Sequence, residues 1–263
     1  MKETRLFYCP SLPHPLTIGT ETSLSEEESS HAIRVLRLGV NDKITITDGR
    51  GIVAQAVITA TTKRECFVRI CDFYEASPLW EGEIHIAVAP TKNTSRMEWF
   101  VEKAVEIGVD CISFLNCDYS ERKEIRLDKL FRNAISAMKQ SHKARVPLLE
   151  GPIRFKDFIH AAEDTPYKYI CHCYDMQGEE LGEERGLTYQ TSSSKPLLLD
   201  ELKSKGGRAL VLIGPEGDFS KEEVQLAVEN GFQSVSLGES RLRTETAALA
   251  AIHMMYLKKR LPQ

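Results

Sequence analysis

The chain has 263 residues, of which 42% are hydrophobic and 27% are charged, and its formal net charge is −4. This composition suits one large or two modest globular domains, excludes a chain that is basic throughout, and restricts any nucleic-acid surface to a local patch. No stretch approaches the ~18 consecutive apolar residues of a membrane span, and the N-terminus lacks the apolar core of a secretory signal, so we expect a soluble cytoplasmic protein.

The first part of the chain has a β-rich pattern. The run KITITDGRGIVAQAVITA places β-branched residues on both sides of Asp48–Gly51, which predicts a hairpin. CFVRICDFY predicts another strand. Ser25 and Glu28 form the capping-box pattern of one helix, which Gly39 should end. We predict a small β-barrel with one helix over residues 1–72.

After a predicted linker at residues 73–82, strand-like and helical runs alternate. IHIAVAP, CISFL, KYICHCY, ALVLIG and SVSLG predict strands, whereas RMEWFVEKAVEIG, LDKLFRNAISAMKQSHKA, SKEEVQLAVENG and TETAALAAIHMMYLKKR predict helices. This alternation is typical of an α/β domain with a mainly parallel sheet, which we predict over residues 83–263. Residues 176–207 are polar and indicate an irregular insertion or a mobile loop.

The seven cysteines carry no metal-binding or disulfide signature, because none forms a Cys-x-x-Cys pair. Cys171, His172 and Cys173 lie in a predicted strand, where alternation points the cysteines to one face and the histidine to the other. These three side chains could not chelate one ion. We therefore expect no metal and mostly buried, reduced thiols, which fit a reducing compartment.

One glycine loop lies between a predicted strand and a predicted helix in ALVLIGPEGDFSKEE. Ser220 and Glu223 form a second capping-box pattern there, and a helix N-terminus can accept an anion. However, Glu216 and Asp218 would repel a phosphate, and neither the P-loop lysine nor a Gly-x-Gly-x-x-Gly pattern is present. The loop suits a ligand with hydroxyls and a positive charge, although a tight turn without a ligand is an equal alternative.

A second glycine loop follows in SVSLGESRLRTETAALAAIHMM. Strands that end in such loops place both at the carboxyl edge of a sheet, where α/β folds bind ligands. The helix that follows is rich in alanines, which allow close backbone approach, although ordinary tight helix packing is the favoured explanation for them: Ala247, Ala248, Ala250 and Ala251.

Five segments, spanning roughly residues 31–252 in the same order, resemble the ribosomal small-subunit methyltransferase E family, the 16S rRNA (uracil-N3)-methyltransferases of the SPOUT superfamily. LIGPEGDFSKEEV and SLGESRLRTETAALAA resemble its two signature segments, and HAIRVLRL, KAVEIGVDCISFL and QSHKARVP resemble three others. The chain departs from the family pattern at three positions. Asp218 replaces a usual glycine, Arg241 adds a positive charge, and Lys143 replaces an arginine.

The resemblance implies a PUA-like β-barrel joined to a SPOUT α/β domain with a C-terminal trefoil knot, a homodimer, and S-adenosylmethionine as the cofactor bound in the knot. By position, the implied cofactor contacts are Ile213, Gly214, Pro215, Glu216 and Gly217 in the first segment and Leu237, Gly238, Leu242, Arg243 and Thr244 in the second. Tyr174, just past a strand end, is a further candidate that no motif matches.

The implied reaction is methyl transfer to N3 of a uridine in small-subunit rRNA, with the assembled 30S subunit as the expected partner. Loss of the N3 proton spreads negative charge onto O2 and O4, and we expect Arg243 to stabilise that charge. Glu245 and Glu216 are the local candidates for accepting the proton, with capping or structural roles as alternatives.

RNA binding is expected from scattered cations. Arg34 and Arg37 are three residues apart on one predicted helix face, and the patch could extend to Arg5, Arg50, Lys92 and Arg96. For any single arginine, a solvated helix face is the favoured interpretation. At the level of function, a non-catalytic RNA-binding protein and a SPOUT methyltransferase with another RNA target remain open. A nucleotide-binding kinase or dehydrogenase is disfavoured because the phosphate-binding patterns are absent.

Overall fold

The structure, a computed structural model, describes residues 5–174, 195–203 and 207–260. The chain forms two compact units, one of residues 1–78 with 135–146 and the other of residues 79–134 with 147–263. Most of the polar insertion predicted over residues 176–207 lies outside the described residues.

The first unit contains a five-stranded sheet with the order β1-β3-β4-β5-β2. β1 runs parallel to β3, and the other neighbours are antiparallel. Alternation along the strands directs Ile44, Ile46 and Ile58 into the core of this unit. The strands are β1 (Leu6–Tyr8), β2 (Glu21–Ser23), β3 (Lys43–Thr47), β4 (Ile52–Thr61) and β5 (Cys66–Glu75).

The predicted hairpin joins β3 to β4. The buried carboxylate of Asp48 accepts the backbone N–H groups of Arg50 at 2.8 Å and Ile52 at 3.0 Å. Gly49 and Gly51 have φ angles of 74° and 124°, which residues with a β-carbon rarely adopt. The Asp-Gly signal in the sequence therefore corresponds to a turn that requires these residue types.

The helix predicted for this unit is shorter than the sequence suggests. α1 (Glu26–Ser30) continues as one π-helical turn, His31–Val35, and ends there rather than at Gly39. Ser25 caps the helix by accepting the N–H of Glu28 at 3.2 Å. The carboxylate of Glu28 pairs with the ammonium group of Lys139 instead of completing the predicted capping box.

The second unit contains a six-stranded parallel sheet with the order β11-β9-β10-β6-β7-β8. Its strands are β6 (Glu83–Val88), β7 (Cys111–Asn116), β8 (Leu148–Arg154), β9 (Tyr167–Cys171), β10 (Arg208–Ile213) and β11 (Gln233–Val235). Its helices are α2 (Thr94–Ile107), α3 (Leu127–Gln140, with residues 135–140 in the first unit), α4 (Phe155–Ala161), α5 (Leu198–Glu201), α6 (Lys221–Glu229) and α7 (Thr244–Arg260). This architecture confirms the predicted α/β fold with a mainly parallel sheet.

The sequence pattern does not predict β8. Gly151 and Pro152 interrupt this strand, and such residues argue against a central position in a sheet. In the structure β8 is an edge strand next to β7, where the interruption is tolerated. Nowhere in the described part of the chain is a helix both long and apolar enough to cross a membrane.

Candidate functional site

Three neighbouring strands end in one row at the carboxyl edge of the six-stranded sheet. Ile213 at the end of β10 and Val235 at the end of β11 both pair with Cys171 at the end of β9. Because the strands are parallel, the loops that follow them leave from the same edge. The two predicted glycine loops therefore lie on either side of residues 172–174, an arrangement in which α/β folds bind ligands.

The first loop is a tight turn that leads into α6. The N–H of Asp218 donates to the carbonyl of Pro215 at 2.9 Å. Gly214 and Pro215 are buried, whereas the next two residues are exposed at the tip. A β-carbon on Gly214 would lie 3.1 Å from the backbone nitrogen of Phe219, so glycine fits here with the least displacement.

Asp218 has a left-handed backbone, with φ of 65°. That conformation costs most residues roughly 1–2 kcal/mol, but aspartate visits it when its side chain bonds locally. Here the carboxylate accepts the N–H of Cys173 at 2.7 Å and that of Phe219 at 2.8 Å. The residue that departs from the family pattern thus stands where glycine is favoured and ties the loop to the segment after β9.

The predicted capping box of α6 forms. The hydroxyl of Ser220 accepts the N–H of Glu223 at 3.2 Å, and the carboxylate of Glu223 accepts the N–H of Ser220 at 2.9 Å. Asp118 adds a second carboxylate, which accepts the Ser220 O–H at 2.8 Å. The helix N-terminus is therefore supplied with negative charge by the chain itself, which leaves it poorly suited to a phosphate.

The second loop bends at Gly238, whose φ is 121°. Among the described residues, apart from its two chain neighbours, none has an atom within 4 Å of the position that a β-carbon on Gly238 would take. The hydroxyl of Ser236 accepts the N–H and donates to the carbonyl of this glycine, both at 3.1 Å, and so holds the bend. The other matched positions range from exposed Arg243, through half-buried Leu237 and Leu242, to buried Thr244.

Glu245 lies in the first turn of α7 and is buried. Its Oε1 lies 3.7 Å from Nε of Arg96 on α2, and its Oε2 has no hydrogen-bond partner among the described residues. The predicted proton acceptor and one predicted RNA-binding cation therefore form an ion pair with each other. Glu216, the other predicted acceptor, is exposed, and its Oε1 accepts the N–H of Lys92 at 3.0 Å.

Tyr174 follows β9, as expected, and its side chain is buried. Its hydroxyl donates to the carbonyl of Phe219 at 2.8 Å. The buried ammonium of Lys195 donates to the carbonyl of Tyr174 at 2.7 Å and also to that of His172. Burial and the Lys195 charge lower the pKa of His172 to about 4, so this imidazole is neutral near pH 7. The Tyr174 hydroxyl therefore supports the first loop by binding a backbone carbonyl at the end of that loop.

Comparisons with known proteins identify this arrangement. A sequence profile described as the RNA methyltransferase domain matches residues 78–256, and a profile of the RNA methyltransferase PUA domain matches residues 24–71. The first match alone covers more than half of the chain. The chain belongs to the RNA methyltransferase domain family.

Relatives of this methyltransferase match nearly its whole length. A probable rRNA-methyltransferase from Porphyromonas gingivalis is 39% identical, with a TM-score of 0.82 over 97% of this chain and 98% of that one. Ribosomal RNA small subunit methyltransferase E from Neisseria gonorrhoeae, bound to S-adenosyl methionine, is 27% identical, with a TM-score of 0.75 over 95% of each chain. The enzyme of the same name from Aquifex aeolicus is 29% identical over 88% of this chain and 92% of its own. These matches confirm the resemblance to the methyltransferase E family and its SPOUT and PUA-like fold classes.

Two cations predicted to bind RNA do not share a helix face in this methyltransferase. The π-helical turn that holds Arg34 ends at Val35, and Arg37 follows with a left-handed φ of 55°. The prediction assumed that the helix continued to residue 39, and the early end of the helix makes that assumption wrong. Both side chains are exposed, so each could still meet solvent or a ligand singly.

The remaining predicted RNA-binding cations have different surroundings. Arg5 is exposed. In the first unit, Arg50 lies 3.3 Å from the carboxylate of Asp48. In the second unit, Lys92 pairs with Glu121 at 2.7 Å, and both side chains are more than half exposed. Such exposed pairs contribute little to stability, so Lys92 can exchange its partner readily.

One group of potential metal ligands lies at the opposite edge of the parallel sheet from the two loops. Atoms of Glu83, His85 and Cys111 lie within 4.8 Å of one another. Burial and the Arg208 charge lower the pKa of His85 to about 3, and burial and the Glu150 charge raise the pKa of the Cys111 thiol to about 12. Arg208 also pairs with Glu83 at 2.9 Å, which makes the group an ion pair beside two neutral side chains.

All seven cysteines are free, and four are buried. Within the described ranges, the side chains of Cys171, His172 and Cys173 form no cluster with metal-ligand geometry. His172 instead places Nε2 2.9 Å from the hydroxyl of Ser234 on β11.

Sequence reasoning missed two contributors to this edge of the sheet. The segment after β7, residues 117–122, contacts both the first loop and the start of α6. A usable signal existed, because CISFL is another parallel strand and its following residues, CDYSER, must leave from the same edge. Lys195 had no such signal, because a buried lysine follows no periodic pattern.

Proposed function

We propose that this protein transfers a methyl group from S-adenosylmethionine to N3 of a uridine in 16S rRNA, within the assembled 30S subunit. The observation that carries the proposal is the pair of glycine loops at the carboxyl edge, with carboxylates in place of phosphate-binding lysines. Relatives named ribosomal RNA small subunit methyltransferase E, one of them bound to S-adenosyl methionine, support it.

The chemistry of the site fits this cofactor. The open space beside Gly238 accepts a close ligand, and the exposed carboxylate of Glu216 complements a cation. The Oε2 of Glu245 is a buried acceptor without a partner among the described residues, and such atoms are costly to leave unsatisfied. We propose that the cofactor is held by Ile213, Gly214, Pro215, Glu216, Gly217, Leu237, Gly238, Leu242, Arg243 and Thr244, with Tyr174 supporting the first loop.

S-adenosylmethionine, when bound, supplies a methyl group on a sulfonium, which is already a strong electrophile. The chain must then hold the uracil in line and stabilise its anion. Arg243 is exposed just before α7, and no carboxylate in the described ranges pairs with it. We propose that its guanidinium balances the charge on O2 and O4.

Glu216 is the better placed of the two predicted proton acceptors. It is exposed at the tip of the first loop, and its second carboxylate oxygen lies outside the hydrogen bond to Lys92. Glu245 is buried and pairs with Arg96, which links the start of α7 to α2. We therefore propose Glu216 for proton transfer and Glu245 for positioning.

The domain organisation supports an RNA substrate. We propose that the first unit binds RNA, with Arg5, Arg34, Arg37 and Arg50 among the contacts, and that the second unit is catalytic. The predicted bounds of 1–72, 73–82 and 83–263 shift accordingly, because β5 extends to Glu75 and residues 135–146 belong to the first unit. The match to an RNA methyltransferase PUA domain supports the first assignment. We further infer a homodimer in the cytoplasm and a C-terminal trefoil knot, as the family resemblance implies.

Mass spectrometry of 16S rRNA tests the target directly. A strain lacking this protein should lose 3-methyluridine from its small-subunit rRNA, and re-expression should restore it. An unchanged level would refute the assignment of the target. A titration with S-adenosylmethionine separates the enzyme from a non-catalytic RNA-binding scaffold, because a scaffold should not bind the cofactor.

The role of Arg243 can be tested at saturating cofactor. Arg243→Ala should lower kcat by about 100- to 1,000-fold, the usual effect of removing one donor to a developing anion. Arg243→Lys should recover part of the rate because it retains the charge. Arg241→Ala, which removes a neighbouring exposed charge, is the matched control and should stay close to the wild-type rate. Methylation by Arg243→Ala at the wild-type rate would show that the charge-stabilising role is wrong.

A further inference from the structure

The segment after β7 forms a fixed wall beside the first loop. The N–H of Asp118 donates to Glu223 at 3.0 Å, and its carboxylate accepts the Ser220 hydroxyl at 2.8 Å. The hydroxyl of Ser120 accepts the N–H of Cys117 at 3.0 Å. Bonds on both sides of residue 119 therefore hold its backbone, so its side chain projects from a rigid support.

Tyr119 is the exposed aromatic residue of this wall. The residue is 53% exposed although it lies among well-packed loops. Its Cβ lies 3.2 Å from the position that a β-carbon on Gly217 would take, so it stands directly against the tip of the first loop. No residue in the described ranges binds its hydroxyl. An exposed aromatic ring held rigidly beside a proposed methyl-transfer site needs a functional explanation.

Cations lie on the segment that carries this ring and on the neighbouring loop after β6. Nε of Arg122 donates to the carbonyl of Lys92 at 3.1 Å, which joins the segment after β7 to the loop after β6. The Lys92 side chain is 75% exposed, and Lys123 is exposed as well. An aromatic face beside positive charges is the combination with which proteins hold single-stranded nucleic acid, through stacking of bases and neutralisation of phosphates.

We propose that Tyr119 forms a nucleotide subsite, in which its ring stacks on an unpaired base of the RNA next to the methyl-transfer position. Lys92 and Arg122 contact the adjoining phosphate. This subsite rests on the proposed methyltransferase function, because the Tyr119 ring would hold an RNA strand that is opened at the target uridine. A base removed from its stack needs such a surface, and RNA-binding domains provide it with aromatic side chains.

The test measures methylation of 30S subunits from a strain lacking this protein, together with cofactor affinity. Tyr119→Ala should lower kcat/KM for the subunits by about 5- to 150-fold, the effect of losing one stacked base. Tyr119→Phe should retain wild-type kcat/KM, because the ring is kept. In both variants the Kd for S-adenosylmethionine should stay within about twofold of wild type, because the ring contacts the RNA and the backbone of the loop is unchanged.

Leu148→Ala is the matched control, since Leu148 is 59% exposed but lies at the start of β8, at the opposite end of the parallel sheet from the two loops. An equal loss in this control, or wild-type kcat/KM in Tyr119→Ala, overturns the subsite. So does a loss of cofactor affinity or of thermal stability that parallels the loss of activity, which would show a structural role. Conversion of a dimer to a monomer by Tyr119→Ala in light scattering would make the ring a subunit contact instead.

A second readout separates this subsite from the proposed function. Binding of a fluorescent uridine-rich single-stranded oligoribonucleotide, followed by anisotropy, requires no methyl transfer. Wild-type protein that binds the oligonucleotide through Tyr119 but methylates no 30S subunit would refute the target and keep the subsite. Normal methylation with equal oligonucleotide binding by wild type and Tyr119→Ala would refute the subsite alone.

Discussion

Substitution of Asp218 tests how the first loop is stabilised. The residue combines a left-handed φ of 65° with two hydrogen bonds that its carboxylate accepts, one from the N–H of Cys173 and one from that of Phe219. Alanine removes both bonds and keeps the unfavourable backbone, whereas glycine removes both bonds and relieves the backbone. Asparagine keeps one acceptor and the tolerance for this conformation.

The expected losses can be worked out from these contacts. A hydrogen bond to a charged group contributes about 1.5–3 kcal/mol, and the half-buried position of Asp218 favours the lower value. Two such bonds give a loss of about 3 kcal/mol in the free energy of unfolding for Asp218→Ala. Relief of left-handed strain returns about 1 kcal/mol, so Asp218→Gly should lose about 2 kcal/mol. Asp218→Asn should lose about 1.5 kcal/mol because one acceptor remains.

Urea denaturation of the three variants measures this order, and calorimetric titration with S-adenosylmethionine shows whether cofactor affinity falls in the same order. Asp164→Ala, at an exposed aspartate after α4, serves as a control for the effect of removing a carboxylate as such. If Asp218→Ala were as stable as wild type, the two bonds would have no energetic role. If Asp218→Gly were less stable than Asp218→Ala, the argument from backbone strain would be wrong.

Two further substitutions test the second loop and the buried histidine. Gly238→Ala should lower the free energy of unfolding by about 1–3 kcal/mol, because φ is 121° at this position. The same substitution should also weaken cofactor binding, because its methyl group enters the open space beside the loop. Unchanged affinity in the calorimetric titration would contradict this second effect. His85 has a folded pKa of about 3, below its unfolded value of 6.5, so protonation of the unfolded chain should cost wild type about 2 kcal/mol of stability between pH 7 and pH 5. His85→Gln should lack this component in urea denaturation, and an equal pH dependence in both proteins would refute it.

Local sequence patterns correctly predicted elements that are held by hydrogen bonds between residues a few positions apart. The hairpin at Asp48–Gly51 and the capping box of Ser220 with Glu223 form as expected. The predicted capping box of Glu28 did not form, because its carboxylate pairs with the ammonium group of Lys139, which is distant in the chain. The sequence pattern failed for β8 as well, because only the position at the edge of the sheet makes Gly151-Pro152 acceptable in a strand.

The sequence by itself determined the alternation of strands and helices, the turn residues and the two glycine loops, since these depend on local periodicity and on backbone preferences. Tertiary structure alone decided which side chains meet at the carboxyl edge. It paired Glu245 with Arg96, gave Asp218 its two amide donors and set Tyr119 against Gly217. Those contacts join residues that are far apart in the chain, and they exist only because parallel strands bring the ends of successive segments to one edge.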